Sequence, residues 1–317
     1  MEKRKLGNSG FSVAPLALGC NVFGWTADEA TSHAILDRFV EAGFSLLDTA
    51  NTYSTWVPGH KGGESEAIIG KWLRKSAKRD QVVLATKVGM EIEGEKGLTR
   101  AQVEKHVDKS LGRLQTDRID LYQTHKDDPA TPVDETLEAL DRLVKAGKVR
   151  AIGASQYGPD RLVESLAASK RLGIARYETL QPEFNLYDRH TFERTLQPVA
   201  EKHGLAVIPF FGLAKGFLSG KYRRLEDVKG RPREGGLKKY FEGDRGLRIL
   251  AALDAVSART GATPAQVSLA WSMAQPTIVA PIVSATSVAQ LDDVMAAARL
   301  KLDAAALAQL DAASREG

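Results

Sequence analysis

The chain has 317 residues, 43% hydrophobic and 26% charged, with 44 basic against 40 acidic side chains. These values exclude a disordered chain, a collagen-like repeat and a disulfide scaffold, and a core of this size needs no metal staple to fold. The net charge of +4 is too thinly spread to argue for nucleic acid without a recognition motif, and none occurs.

The N-terminal Glu2-Lys3-Arg4-Lys5, followed by Phe11 to Cys20, loosely resembles a lipoprotein signal. Ser12, Pro15 and the turn-like Gly7-Asn8-Ser9-Gly10 favour a hairpin leading into a first buried strand. From there, short β-rich runs alternate with longer stretches of helical period. Strands are predicted at Leu16–Cys20, Phe44–Leu47, Val82–Thr86, Ile119–Gln123, Val149–Gly153, Tyr177–Leu180, Leu205–Phe210 and Thr277–Ile282. Helices are predicted at Asp28–Ala42, Ser65–Lys78, Thr99–Leu114, Val133–Ala146, Pro159–Arg171, Phe192–His203, Pro264–Ala274, Val288–Ala298 and Asp303–Ala313. Thr99 and Thr263 are read as N-caps, and Pro159 as a helix-opening proline.

Alternation of this kind calls for a parallel sheet with crossover helices. Eight strand–helix units close into a (β/α)8 TIM barrel, with the N-terminal β-hairpin, a long loop after strand seven and an extra C-terminal helix as additions. A doubly wound open sheet is the rival, but the Gly-x-Gly-x-x-Gly that would bind a dinucleotide near its first strand is absent. No linker or composition break marks a second domain, so residues 1–317 are expected to form one unit. The segment from Phe211 to Gly246 is too long for an ordinary connection and is read as functional. From Lys215 to Arg248 it carries eleven basic residues, Arg233 among them, against five acids.

In a closed parallel barrel, functional groups gather at the C-terminal ends of the strands. Asp48, Lys87, His125, Ser155, Gln181 and Phe210 follow the apolar runs directly, and Tyr53 lies just beyond Asp48. Taken singly, each has an ordinary structural reading: a turn aspartate, a solvated lysine, a structural histidine, a packed tyrosine. Their coincidence at equivalent points of adjacent strands argues instead for proton transfer coupled to hydride transfer. A phenol has an ordinary pKa near 10, too high for an efficient acid. Lys87, held charged by Asp48, is expected to lower it by about one to three units. His125 would position a carbonyl oxygen where negative charge develops.

Other chemistries fit less well. Gly153-Ala154-Ser155-Gln156-Tyr157-Gly158 misses the Gly-x-Ser-x-Gly elbow by one residue, and no Walker-type phosphate loop occurs. No histidine pair or histidine–cysteine pair has metal-ligand spacing, so no metal is expected.

The chain resembles the aldo-keto reductase family over nearly its whole length. The carriers are Leu46-Leu47-Asp48-Thr49-Ala50-Asn51-Thr52-Tyr53, Gly63-Glu64-Ser65-Glu66 with Gly70, Ala85-Thr86-Lys87, and Ile119-Asp120-Leu121-Tyr122-Gln123-Thr124-His125. Ala146-Gly147-Lys148-Val149-Arg150-Ala151-Ile152-Gly153 and Gln181-Pro182-Glu183-Phe184-Asn185 also match. The resemblance implies a catalytic tetrad of Asp48, Tyr53, Lys87 and His125, and NAD(P)(H) lying extended across the barrel mouth. It implies that Ser155, Gln156 and Gln181 hold the nicotinamide carboxamide, with Gln156 where the family usually has Asn. Phe210 stands where a tyrosine usually stacks on the nicotinamide. Gly212, Leu213, Lys215, Gly216 and Lys221 fall in the segment that covers the pyrophosphate.

At the places matching Ser284 and Gln290, NADPH-preferring members carry Lys or Arg, and Asp293 with Val294 replaces their Glu-Asn. No basic residue occurs between Thr277 and Ala298. Weak discrimination between NADP and NAD is therefore expected, or a lean toward NAD. Trp25, Trp56 and Met90 are read as walls of a substrate pocket for aldehydes, ketones, sugars or secondary alcohols. The expected partner is a small carbonyl or alcohol substrate, not nucleic acid or a membrane, since no run approaches the roughly 18 apolar residues of a span. The single cysteine, Cys20, fits a reducing, cytoplasmic setting, and the oligomeric state is left open. The alternative from another class is an NADP(H)-binding regulatory subunit, like the family's channel-associated relatives.

Overall fold

The computed structural model describes residues 2–231 and 234–316. An antiparallel ribbon comes first, β1 (Arg4–Lys5) and β2 (Ser12–Val13), with Arg4 opposite Val13. Then β3 (Ala17–Gly19), β4 (Leu46–Asp48), β5 (Val83–Val88), β6 (Ile119–Thr124), β7 (Val149–Ser155), β8 (Tyr177–Gln181), β9 (Ala206–Val207) and β10 (Ile282–Val283) form one sheet. Its order is β10-β3-β4-β5-β6-β7-β8-β9, and every neighbouring pair is parallel.

The sheet closes on itself. Val207 bridges Ile278, and backbone bonds run from Val207 N to Thr277 O at 3.0 Å and from Ile282 N to Pro209 O at 2.8 Å. The predicted (β/α)8 barrel is therefore borne out. The helices are α1 (Glu29–Glu41), α2 (Glu64–Ser76), α3 (Arg100–Leu114), α4 (Val133–Lys145), α5 (Pro159–Leu172), α6 (Gln197–His203), α7 (Glu234–Leu237), α8 (Arg245–Thr260), α9 (Pro264–Met273), α10 (Val288–Ala296) and α11 (Ala304–Ser314).

Alternation along the strands sorts the interior into layers, since every second side chain points inward. At the base, Leu46, Val83, Ala85, Leu121, Ala151, Ala206 and Ile208 form a small apolar plug that Leu6 and Val13 of the ribbon complete. The ribbon is held there by Arg4, whose Nη1 donates to the carbonyls of Met273 at 2.9 Å and Ile278 at 2.8 Å. The same inward rows continue upward to Asp48, Lys87, Gln123, Ser155 and Gln181, all buried. A polar floor thus sits on an apolar plug. The helices pack on the outer face of the sheet in a second, larger core.

Helix starts follow side-chain chemistry. Thr99 Oγ1 accepts from Gln102 N, and Thr263 forms a capping box with Gln266 ahead of Pro264, as expected. Asp28, Ser287 and Asp303 cap α1, α10 and α11 in the same way.

The structure departs from the predicted elements in four places. The segment after β9 is not irregular throughout: it contains 3₁₀ turns at Ala214–Ser219, Leu225–Val228 and Lys238–Phe241, and the short α7. Arg233, in the predicted basic loop, lies outside the described residues. Beyond it, α8 is a 16-residue helix that the sequence reading missed. Asp244 gives it no side-chain cap, and Arg245 and Arg248 prolong the basic run, so no start signal stands out. The predicted Phe192–His203 helix opens as a π-helical turn, Phe192–Leu196, because Pro198 lacks the N–H that would continue the α-helical ladder. Finally, the predicted seventh strand is regular only at Ala206–Val207, with Phe210 joined to Glu183 by an isolated bridge, and the predicted Thr277–Ile282 strand is displaced, regular only from Ile282 and running on to Val283.

Candidate active site

Asp48 ends β4, Lys87 is the penultimate residue of β5, and His125 follows β6. The register sets Asp48 beside Ala85 and Lys87 beside Gln123, so the inward rows of three adjacent strands converge. Lys87 Nζ donates to Asp48 Oδ2 at 2.7 Å, to the Thr49 carbonyl at 2.8 Å and to Tyr53 Oη at 2.9 Å. Tyr53 reaches this point on a loop folded back over the barrel, with its N–H on the Ala50 carbonyl and Ser54 Oγ on the Phe23 carbonyl. The His125 ring lies edge-on to Tyr53, centroids 5.9 Å apart. The four predicted residues are brought together at one rim.

The electrostatics differ from the expected picture in one respect. The Tyr53 phenol is shifted well above its usual pKa, not below it, by burial first and by the Asp48 carboxylate second. Asp48 balances the Lys87 charge at 2.7 Å, so little field is left to acidify the phenol. Burial lowers Lys87 itself, against the pull of Asp48. His125 is pushed well below its ordinary value by burial and by Lys87, which leaves a neutral imidazole. An unfolded histidine binds its proton at about pH 6.5, so between that pH and the lower native value the unfolded chain holds the extra proton. His125 should therefore cost stability as pH falls below about 6.5, by up to about 1.4 kcal/mol per pH unit. Chemical denaturation of wild type and His125→Gln at pH 7.5 and 5.5 checks this; equal losses in the two proteins would contradict it.

A buried lattice behind the rim fixes these strands to α2 and α3. Ser65 Oγ donates to the Cys20 carbonyl and meets Thr49 Oγ1, each at 2.8 Å. Thr86 Oγ1 donates to Glu66 Oε1 at 2.6 Å, and Arg113 Nε donates to Glu66 Oε2 at 2.7 Å. Gly70 lets the two helices approach, since a Cβ there would lie 2.1 Å from the Arg113 carbonyl oxygen. The Gly63-Glu64-Ser65-Glu66 motif is thus structural in its contacts.

The other predicted residues lie at the strand ends and on the segments that follow them. Ser155 Oγ donates to the Gln181 carbonyl at 2.9 Å, and Gln181 Nε2 donates to Asp48 Oδ1 at 2.9 Å. Gln156 has a left-handed φ of 54°, and its Nε2 donates to the His125 carbonyl at 3.0 Å. The Phe210 and Phe211 rings meet edge to face at 5.0 Å. Beyond them Gly212 and Leu213 lead into a kinked turn with Lys215 at φ 58° and Gly216 at φ 101°. The Lys215 ammonium lies over the Phe211 ring at 5.0 Å, and Lys221 over Tyr222 at 4.9 Å.

After β10, Ser284 Oγ donates to Asn21 Oδ1 at 2.6 Å and Gln290 Oε1 accepts from Thr286. Asp293 Oδ1 accepts from Thr263 and Gln266, at the start of α9. Trp56 packs edge-on against both Trp25, at 5.6 Å, and Tyr53, at 6.1 Å. Met90 stays on the solvent side, 39% exposed.

One inward residue escaped the sequence reading. Gln123 sits on β6 in the same layer as Lys87, and its amide touches Asp48. Its signal was an amide two residues after Leu121, on the inward-facing row of the strand.

A closed parallel barrel with an acid, an amine, a phenol and an imidazole at its C-terminal rim defines a class of barrel enzymes that do chemistry at the strand ends. The model of the Aldo/keto reductase family matches residues 15–315, and the chain belongs to that family. It is 35% identical to "Uncharacterized oxidoreductase YrpG" of Bacillus subtilis, over 98% of this chain and 95% of the relative. It is 30% identical to "Protein tas" of Escherichia coli, over 98% and 97%. It is also 29% identical to "Probable voltage-gated potassium channel subunit beta" of Arabidopsis thaliana, over 94% and 91%. The family is one of oxidoreductases and generally uses NAD(P)H. No helix of the described residues is long and apolar enough to cross a membrane.

Proposed function

We propose that the protein interconverts an aldehyde or ketone and the corresponding alcohol, with NAD(P)(H) as cofactor and Tyr53 as general acid and base. The observation that carries this reading is the contact of Lys87 with both Tyr53 Oη, at 2.9 Å, and Asp48, at 2.7 Å, at the C-terminal ends of the barrel strands. The residues present suit the cofactor. Two ammonium groups rest on aromatic rings in the glycine-containing segment after β9, a donor set fit for a diphosphate. Ser155 and Gln181 supply polar atoms where a carboxamide would be held, and Phe210 and Phe211 supply aromatic faces.

When bound, the reduced nicotinamide supplies a hydride to the carbonyl carbon. The chain's own groups handle the proton and the charge. Tyr53 gives its proton to the carbonyl oxygen, which as an alkoxide is the stronger base. The phenolate left behind faces the Lys87 ammonium, and Asp48 keeps that ammonium charged and aimed. The neutral His125 donates a hydrogen bond to the same oxygen, so that two donors meet the charge as it develops. In the direction of alcohol oxidation each proton movement reverses. Trp25 and Trp56 wall the entrance beside Tyr53 and suit a flat or apolar substrate.

Cofactor choice follows from the segment after β10. Ser284, Gln290 and Asp293 offer no cation to a 2′-phosphate, and Asp293 adds a negative charge. Weak discrimination is expected: kcat/KM with NADPH should exceed that with NADH by less than about a hundredfold, a difference of about 2.7 kcal/mol. Steady-state kinetics with both nucleotides on a panel of aldehydes, ketones and alcohols tests this and the reaction class together. A second reading is favoured by the relative named as a channel subunit: a regulatory protein that binds the nucleotide without turnover. Nucleotide binding with no turnover across that panel would select it.

A further inference from the structure

Beneath the rim, three buried polar side chains close a triangle. Gln123 Nε2 donates to Asp48 Oδ1 at 3.2 Å, Gln181 Nε2 donates to the same oxygen at 2.9 Å, and Gln181 Nε2 also donates to Gln123 Oε1 at 3.2 Å. All three residues are nearly or fully buried. A carboxylate only accepts, so both amides must turn their N–H groups toward Asp48, and the orientation of each follows from the network. Gly153 makes the space: a Cβ there would lie 3.2 Å from Gln123 Cγ and 2.1 Å from Thr179 Oγ1. The two carboxylate oxygens are thereby divided. Oδ1 is occupied by two amides, while Oδ2 meets Lys87 at 2.7 Å and Tyr53 Oη at 3.4 Å.

We propose that Gln123 is a positioning residue, which with Gln181 holds Asp48 so that Oδ2 alone serves Lys87 and Tyr53. The inference rests on the reading of those three residues given above. Gln123 touches neither the phenol nor the mouth; it acts through the carboxylate. The titratable groups facing Asp48 are Lys87 from β5, Tyr53 from the loop after β4 and Cys20 after β3. His125 and, through β5, Glu66 face Lys87. Burial raises the Cys20 thiol and lowers His125, so both are neutral between pH 7 and 8.

The test is kcat and kcat/KM for a small aromatic aldehyde between pH 5 and 9, with the nucleotide that wild type uses. Nucleotide dissociation constants and thermal melts are measured alongside. Gln123→Leu keeps the volume and removes the donor; kcat should fall by about tenfold to a hundredfold, with the nucleotide dissociation constant within about threefold. Gln123→Glu keeps the size and still accepts from Gln181. Its carboxyl, when protonated, donates to Asp48 as the amide does; when ionised, it sets a second negative charge against it. Its kcat/KM relative to wild type should therefore fall by about tenfold or more as pH rises from 5 to 8.

A merely structural role would lower the melting temperature and leave the pH profile parallel to wild type. Parallel profiles for Gln123→Glu, together with a kcat for Gln123→Leu within about threefold of wild type, overturn the proposal. If the leucine variant does not fold, the pH dependence of the glutamate variant decides. Tyr53→Phe run alongside separates the two failures. Turnover retained there defeats the catalytic reading itself, whereas a dead Tyr53→Phe with parallel Gln123 variants defeats only the role of Gln123.

Discussion

Tyr53→Phe should lower kcat by about a thousandfold while changing the nucleotide dissociation constant by less than about twofold. The substitution removes one oxygen and keeps the ring, so the edge contacts with His125 at 5.9 Å and Trp56 at 6.1 Å survive. What disappears is the proton donor 2.9 Å from the Lys87 ammonium, the group whose conjugate base that ammonium would stabilise. Because burial and Asp48 hold the resting phenol well above its usual pKa, wild-type Tyr53 carries its proton at neutral pH as a weak acid, which gives it up only to a base as strong as the alkoxide that forms on hydride transfer. Stopped-flow and steady-state rates with a reactive aldehyde check the loss, and nucleotide titration by fluorescence checks the affinity. Residual turnover above about a tenth of wild type would mean that the proton comes from another group, with His125 the nearest imidazole.

Lys87→Met should damage both function and stability. The ammonium is fully buried and its three donors meet Asp48, the Thr49 carbonyl and Tyr53. A thioether fills much of the space but strands the Asp48 carboxylate in the interior, and breaking a buried pair from one side typically costs about 3–5 kcal/mol. Turnover should fall by about a thousandfold or more, since nothing then compensates the phenolate. The double variant Asp48→Asn/Lys87→Met removes the orphaned charge, so most of the lost stability should return while activity does not. Denaturant melts of the two single variants and the double variant give the coupling directly. A Lys87→Met protein within about 1 kcal/mol of wild type would show that the pair contributes little to the fold.

These two variants probe different properties of one cluster. The phenol is a chemical group whose loss leaves the packing alone. The ammonium is also a structural cation, bound at once to a side chain and to the backbone carbonyl that precedes the Tyr53 loop. That dual role explains why a charged side chain is tolerated with no exposure at all.

What could be read from the amino acids was whatever depends on local rules. Strand and helix periods, the caps Thr99 and Thr263 and the proline at the start of α5 are short-range signals; the caps and the proline appear where expected, as do most of the periodic elements. The rim positions of Asp48, Lys87 and His125 were legible for the same reason, because a parallel barrel turns strand order into neighbourhood. The helix α8 was not legible, since its start carries no cap and its end at Gly261 was the only local sign. Nor was the direction in which the phenol would shift. That depends on how deeply Tyr53 is buried and on which of two opposite charges is already neutralised, and both are set by atoms distant in the chain. The Gln123–Gln181–Asp48 triangle spans 133 residues between its ends. Only closure of the barrel brings those inward rows into one layer, and only there do two amides acquire an orientation and the carboxylate a working face.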